Sequence, residues 1–145
     1  LIVAIDGQIS PKNPNAKKYV LFLPEGELHE LSLLFAAYVI NSRHYKAMYL
    51  GQSLPLKDLS LILELYDPDY VFTLITSYPT KEDVVPYVNE LSRICEGRQV
   101  LVSGYQALTQ KGHLPEDVVV FDTIPGLVDI VDYNSEQPFN LSRTA

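Results

Sequence analysis

A histidine with carboxylates on both sides stands just beyond the first apolar run of the chain, in Leu23-Pro24-Glu25-Gly26-Glu27-Leu28-His29-Glu30. Imidazole can act as a metal ligand or a proton carrier near neutral pH. Glu27, two residues before His29, has the type and spacing to accept the second ring N–H, which fixes the tautomer and raises the basicity of a ligating histidine. The same residues also read as a solvated helix start, because acidic groups near a helix N-terminus are favoured by the macrodipole. Spacing alone leaves both readings open. The remaining histidines have no such neighbour: His44 follows Asn41-Ser42-Arg43 at a helix end, where a cation suits the dipole, and His113 lies in a loop between Gly112 and Pro115. Cys95 is the only cysteine, which excludes an internal disulfide and a cysteine-based zinc cluster. It falls in the helical pattern of Leu91 and Ile94, the setting of a buried, inert thiol.

These residues have to be placed by elements that can be read from periodicity. Five short β-branched or aromatic runs, at 19–23, 47–50, 70–75, 99–103 and 118–121, read as buried strands. Between them Leu28, Leu31, Leu34, Phe35, Tyr38 and Val39 recur at helical spacing, and Leu59, Ile62, Leu63 and Tyr66 repeat the stripe. Thr80-Lys81-Glu82-Asp83 predicts a helix N-cap with an acidic first turn, Pro55 and Pro125 suit first-turn positions, and Pro86 predicts a kink or a delayed start in the third helix. Near-continuous apolar strands alternating with helices mean a doubly wound parallel sheet covered on both faces. Ligands of such sheets bind at the C-terminal strand ends, which directs attention to the loops after Leu23, Ile75 and Ser103.

With 145 residues, 47% of them hydrophobic, the chain can bury one full core but not two. Residues 1–16, ending in Ser10-Pro11-Lys12-Asn13-Pro14-Asn15-Ala16, read as a linker from a missing N-terminal region; residues 17–135 form the domain and 136–145 a tail. The chain opens at Leu1 and its only methionine is Met48, so a fragment of a longer protein is expected. A net charge of −7 without a basic stripe or helix argues against direct contact with nucleic acid. Neither a membrane-length apolar run nor a leader pattern is present, so the expected location is cytoplasmic.

Taken together, the motifs resemble the cobalamin-binding domain of MerR-family transcriptional regulators of the light-sensing CarH/CarA type. Cobalamin-binding domains place D-x-H-x-x-G after the first strand, and the light-sensing regulators use E-x-H; here the segment is Glu27-x-His29-x-x-Ser32. Val100-Leu101-Val102-Ser103-Gly104-Tyr105 resembles the family's strand ending in a glycine pair, of which Gly104 remains. Tyr49-Leu50-Gly51 matches its leucine-glycine end to strand two. The S-x-L element after strand three has Thr76 and Ser77 as its counterparts here, and Ser77 is taken; both hydroxyls also read as turn and cap residues before Pro79 and Thr80. The resemblance covers about Lys17 to Val131 and implies a flavodoxin-like, Rossmann-like α/β fold with strand order 2-1-3-4-5. It implies that His29 is the lower axial ligand of cobalt, that Glu27 bonds its remote nitrogen, and that Ser32, Ser77, Ser103 and Gly104 line the path of the displaced nucleotide tail. Adenosylcobalamin is the cofactor this implies. Ser32 and Ser103 each add a Cβ where the family has glycine.

The function implied is a non-enzymatic sensor module, in which ligand or light state controls self-association and DNA binding by a helix-turn-helix domain outside this chain. Two alternatives keep the fold: a degenerate domain used for protein interaction or dimerisation without corrinoid, and a corrinoid carrier domain of a methyltransferase. A phosphoacceptor receiver would need an aspartate at the end of strand three, where Thr76-Ser77 stand. A flavodoxin would need an anion-binding first loop, and Pro24-Glu25-Gly26-Glu27 is acidic.

Overall fold

Alternation along β1 (Lys18–Phe22) sets the architecture. Tyr19, Leu21 and the following Leu23 enter one apolar cluster, while Val20 and Phe22 enter the other, all fully buried. A strand buried on both faces must lie inside a sheet with helices above and below. The computed structural model, which describes residues 16–122 and 124–136, shows that arrangement. After β1 come α1 (Glu30–Ser42), β2 (Lys46–Gly51), α2 (Leu56–Tyr66), β3 (Tyr70–Leu74), α3 (Val84–Ile94), β4 (Gln99–Ser103), α4 (Tyr105–Thr109), a 3-10 turn at Lys111–His113, β5 (Val118–Phe121) and α5 (Ile124–Glu136). The strands form one five-stranded parallel sheet in the order β2-β1-β3-β4-β5, with Leu21 opposite Phe72, Phe72 opposite Leu101 and Leu101 opposite Val119. The fold is flavodoxin-like, as the sequence predicts.

Leu33, Ala36, Ala37 and Ile40 of α1, with Leu127 and Val131 of α5, pack on Tyr19, Leu21, Phe72 and Leu101. Leu59 and Leu63 of α2, with Val84, Val88 and Leu91 of α3, pack on Val20, Phe22, Val71, Val100 and Val102. Each fully buried Leu or Val contributes about 1.5–3 kcal/mol relative to an exposed one, so the two layers hold the sheet between them. The strand order reverses between β1 and β3, and the C-terminal ends of β1, β3, β4 and β5 open at the same edge.

Boundaries follow local chemistry. Pro55 occupies the N-cap of α2 with ψ 147°, so that helix starts one residue after it. Thr80 heads a turn in which its carbonyl accepts from Asp83 and Val84 N–H, and α3 proper begins at Val84. Pro86 therefore delays the helix: it falls in the first turn, where its missing N–H has no intrahelical partner to lose. Leu23 and Ile75, read as strand ends, lie just past β1 and β3, and their N–H groups bond Gly51 and Ser103 carbonyls. Cys95 is buried at the end of α3, as its pattern predicts. Of the expected linker and tail, residues 1–15 and 137–145 lie outside the described residues. Among the described residues no helix is long and apolar enough to cross a membrane.

Candidate functional site

Glu27 is a fully buried carboxylate in the loop after β1. A charge taken out of water persists only where hydrogen bonds replace the solvent, and Glu27 has them. Its Oε2 accepts the backbone N–H of Thr76 at 2.7 Å, Ser77 at 2.7 Å and Tyr78 at 3.1 Å. Its Oε1 accepts from Leu28 N–H at 3.2 Å and faces His29 Nδ1 in a short hydrogen bond. Burial by itself raises the Glu27 pKa; the bonds to His29 and to the Ser77, Tyr78 and Thr76 amides outweigh it, and the carboxyl is held below its ordinary value.

That environment fixes the tautomer of His29. An ionised carboxylate has no proton to donate, so Nδ1 carries the hydrogen and Nε2 is left with a free lone pair. The His29 side chain is 48% exposed and sits at the N-cap of α1 without a capping bond, because its ring is committed to Glu27. The loop is closed by Glu27 N–H bonding Pro24 carbonyl and by Gly26 at φ +87°, where a Cβ would stand 3.2 Å from the Tyr78 ring. The arrangement presents an oriented imidazole nitrogen at the sheet edge.

Beside it opens a cavity of about 380 Å³ between α1, α5 and the ends of β3, β4 and β5. Its walls include Ala36, Phe72, Leu74 and Leu127, and its polar lining comes from Ser32, Thr76, Ser103 and Asp122. Ser32 is exposed in the first turn of α1, three residues after His29. Ser103 is nearly buried, and its hydroxyl donates to Phe121 carbonyl at 2.6 Å. Gly104, at φ +106°, has a backbone reason to be glycine: a Cβ would come within 2.5 Å of Ile75 carbonyl oxygen.

The structure thus brings Glu27 and His29 into one hydrogen-bonded pair and gathers Ser32, Ser103 and Gly104 around one cavity. Ser77 is placed differently. Its side chain is exposed and away from the cavity wall, and it serves Glu27 through its amide, whereas Thr76 both lines the cavity and donates its amide. Sequence reading did not find the Glu30–Tyr49–Gln52 contacts or the cavity residues Phe121 and Leu127. The apolar run of β5 signals that Phe121 is at least partly inside, whereas Leu127 is buried on the helix α5; nothing local signals the polar contacts.

Among the described residues no group of three or more His, Cys, Asp or Glu side chains could hold a metal ion. A single imidazole binds a free ion weakly but suits a metal that arrives already chelated. His29, near a mostly apolar cavity, fits that donor set.

No family model matches the sequence, and no curated protein matches it. Among solved structures, a cobalamin-binding protein from Desulfitobacterium hafniense DCB-2 is similar with a TM-score of 0.59 and 18% identity, over 83% of this chain and 58% of its own. The methanol:cobalamin methyltransferase complex MtaBC from Methanosarcina barkeri is similar with a TM-score of 0.66 and 14% identity, over 91% of this chain and 52% of its own. The chain spans somewhat more than half the length of either neighbour, and the shared feature is the fold.

Proposed function

We propose that this domain binds a corrinoid, with His29 as the protein ligand to cobalt and the cavity between α1 and α5 taking the displaced nucleotide tail. The observation that carries this reading is the Glu27–His29 pair: a buried carboxylate bonded to Nδ1 of a half-exposed histidine, which leaves Nε2 as the ring nitrogen open to a ligand. When bound, the corrinoid would supply a cobalt centre that the His29 imidazole could ligate. Glu27 orients the ring, the Thr76–Tyr78 amides keep Glu27 ionised, and Leu74, Phe72 and Leu127 exclude water from the tail.

Its role is that of a cobalamin-sensing, non-catalytic effector domain of a MerR-type regulator acting in the cytoplasm, with adenosylcobalamin as the ligand. Ligand or light state changes self-association, and through it DNA binding by a helix-turn-helix domain outside this chain. The net charge of −7 supports this division of labour, since the domain offers little to a phosphate backbone. A second reading, a corrinoid carrier for methyl transfer, is favoured by the similarity to a methyltransferase complex.

The test is a titration with adenosylcobalamin in the dark, followed by visible absorption, for the wild type and His29→Ala, with sedimentation before and after illumination. A spectral change that needs His29, together with a light-dependent change in assembly, supports the sensor. The same spectral change with constant assembly favours the carrier, and no uptake leaves a corrinoid-free interaction domain.

A further inference from the structure

His29 lies between two carboxylates, and only one of them has been accounted for. Glu30, the first residue of α1, is tied across the sheet edge: its Oε1 accepts Tyr49 OH at 2.6 Å and its Oε2 accepts Gln52 Nε2 at 2.5 Å. Tyr49 lies in β2, half-buried against the α1 layer, so its hydroxyl is aimed by packing. Burial, and then the Glu30 carboxylate, raise its pKa, which keeps the phenol a donor.

Gln52 is placed by the backbone. Leu23 N–H bonds Gly51 carbonyl at 2.9 Å and Leu54 N–H bonds Leu23 carbonyl at 3.1 Å, so the loop after β2 clasps the end of β1. The tight path needs left-handed conformations at Gly51, φ +79°, and at Ser53, φ +53°. That clasp carries Gln52 to Glu30.

We propose that Tyr49 and Gln52 are positioning residues for the histidine ligand, acting through Glu30. Helix α1 starts without a side-chain cap, because the residue at its N-cap is His29 and its ring is engaged elsewhere. An uncapped first turn frays. The Glu30 tie holds it from the β2 side, as Glu27 holds the loop from the β3 side, and His29 is strung between the two anchors. The role rests on the corrinoid reading above; the anchoring itself does not, and the two are separated by the measurements.

The experiment compares the wild type, Tyr49→Phe with Gln52→Ala, and Glu30→Gln, first without ligand and then with adenosylcobalamin. In the ligand-free double variant, the Glu30 amide, bonded to Leu28 carbonyl, exchanges about tenfold faster, while the Leu28, Thr76, Ser77 and Tyr78 amides, held by Glu27, keep their rates. Cobalamin affinity falls about tenfold, with a smaller fraction of the His29-dependent spectrum. Glu30→Gln alone keeps both at the wild-type level, because its oxygen still accepts Tyr49 OH and its NH₂ meets the Gln52 amide turned over. Unchanged exchange at Glu30 overturns the anchoring. Faster exchange with full affinity and spectrum overturns the positioning role while the corrinoid reading stands. If the wild type takes up no cobalamin, the corrinoid reading fails and the positioning role falls with it.

Discussion

Replacing Glu27 by glutamine tests the site at its most constrained atom. The substitution keeps size and shape but exchanges a carboxylate, which accepts at both oxygens, for an amide that accepts at one. Three amides converge on Oε2, so the amide oxygen must take that position and the NH₂ must face His29 Nδ1 and Leu28 N–H. Hydrogen bonds to a charged acceptor contribute roughly 1 kcal/mol more than those to a neutral one, so three of them lose about 3 kcal/mol in sum. For a domain of this size that lowers Tm by roughly 10 °C. The NH₂ also needs an acceptor, which forces His29 to the Nε2–H tautomer and removes its lone pair from the outward nitrogen. Thermal unfolding and the ring ¹⁵N shifts of His29 read the two effects separately. Linkage adds a control: the Glu27 pKa is lowered from 4.5 in the folded protein. Its contribution is therefore complete above about pH 4.5 and is lost as pH falls through the folded value. The gap between wild type and variant must be constant at neutral pH and shrink in acid. A gap that does not shrink, or a His29 that keeps Nδ1–H in the variant, refutes the argument.

Gly104→Ala places a Cβ 2.5 Å from Ile75 oxygen at φ +106°, and urea unfolding should show a loss of about 3 kcal/mol or more. Ser32→Trp, at an exposed cavity-lining position, should leave stability within about 0.5 kcal/mol while abolishing cobalamin uptake measured by equilibrium dialysis. Cys95 is 1% exposed and burial pushes its thiol up to about 12, so a disulfide reagent at pH 8 should label it only after denaturant is added.

The fold was legible because burial on both faces leaves a periodic trace. Val71 and Phe72 of β3 enter opposite clusters, and α2 buries Leu59 and Leu63 of its predicted stripe. Helix α1 does not follow its predicted stripe: Leu28 precedes the helix, Leu28 and Leu31 are exposed, and Leu33, Ala36, Ala37 and Ile40 form the buried face. The Glu27–His29 pair was legible for a different reason: its partners are two residues apart, which made it a candidate beside a solvated helix start, and the motif resemblance singled it out. What holds the pair was not. Thr76 to Tyr78 reach Glu27 across 49 to 51 positions, and Tyr49 reaches Glu30 across 19. A parallel sheet joins such loops by ending its strands at one edge, and no local pattern records which loops will meet. The hydroxyl of Ser77 drew notice after strand three, yet in the fold it is the amide that acts. Every residue but proline carries that donor, so a site built from main-chain N–H groups leaves almost no mark in side-chain identity. Gly104 shows the converse. Its identity is visible in sequence as the remainder of a glycine pair, but the contact that requires it is with Ile75 oxygen, inside the scaffold. Motif residues at this edge therefore divide by what they touch: His29 is half-exposed at the sheet edge and Ser32 lines the cavity, while Gly104 and the Ser103 hydroxyl also hold the strand ends in place. It follows that substituting Ser103 should act first on the β4–β5 junction and only through it on the cavity.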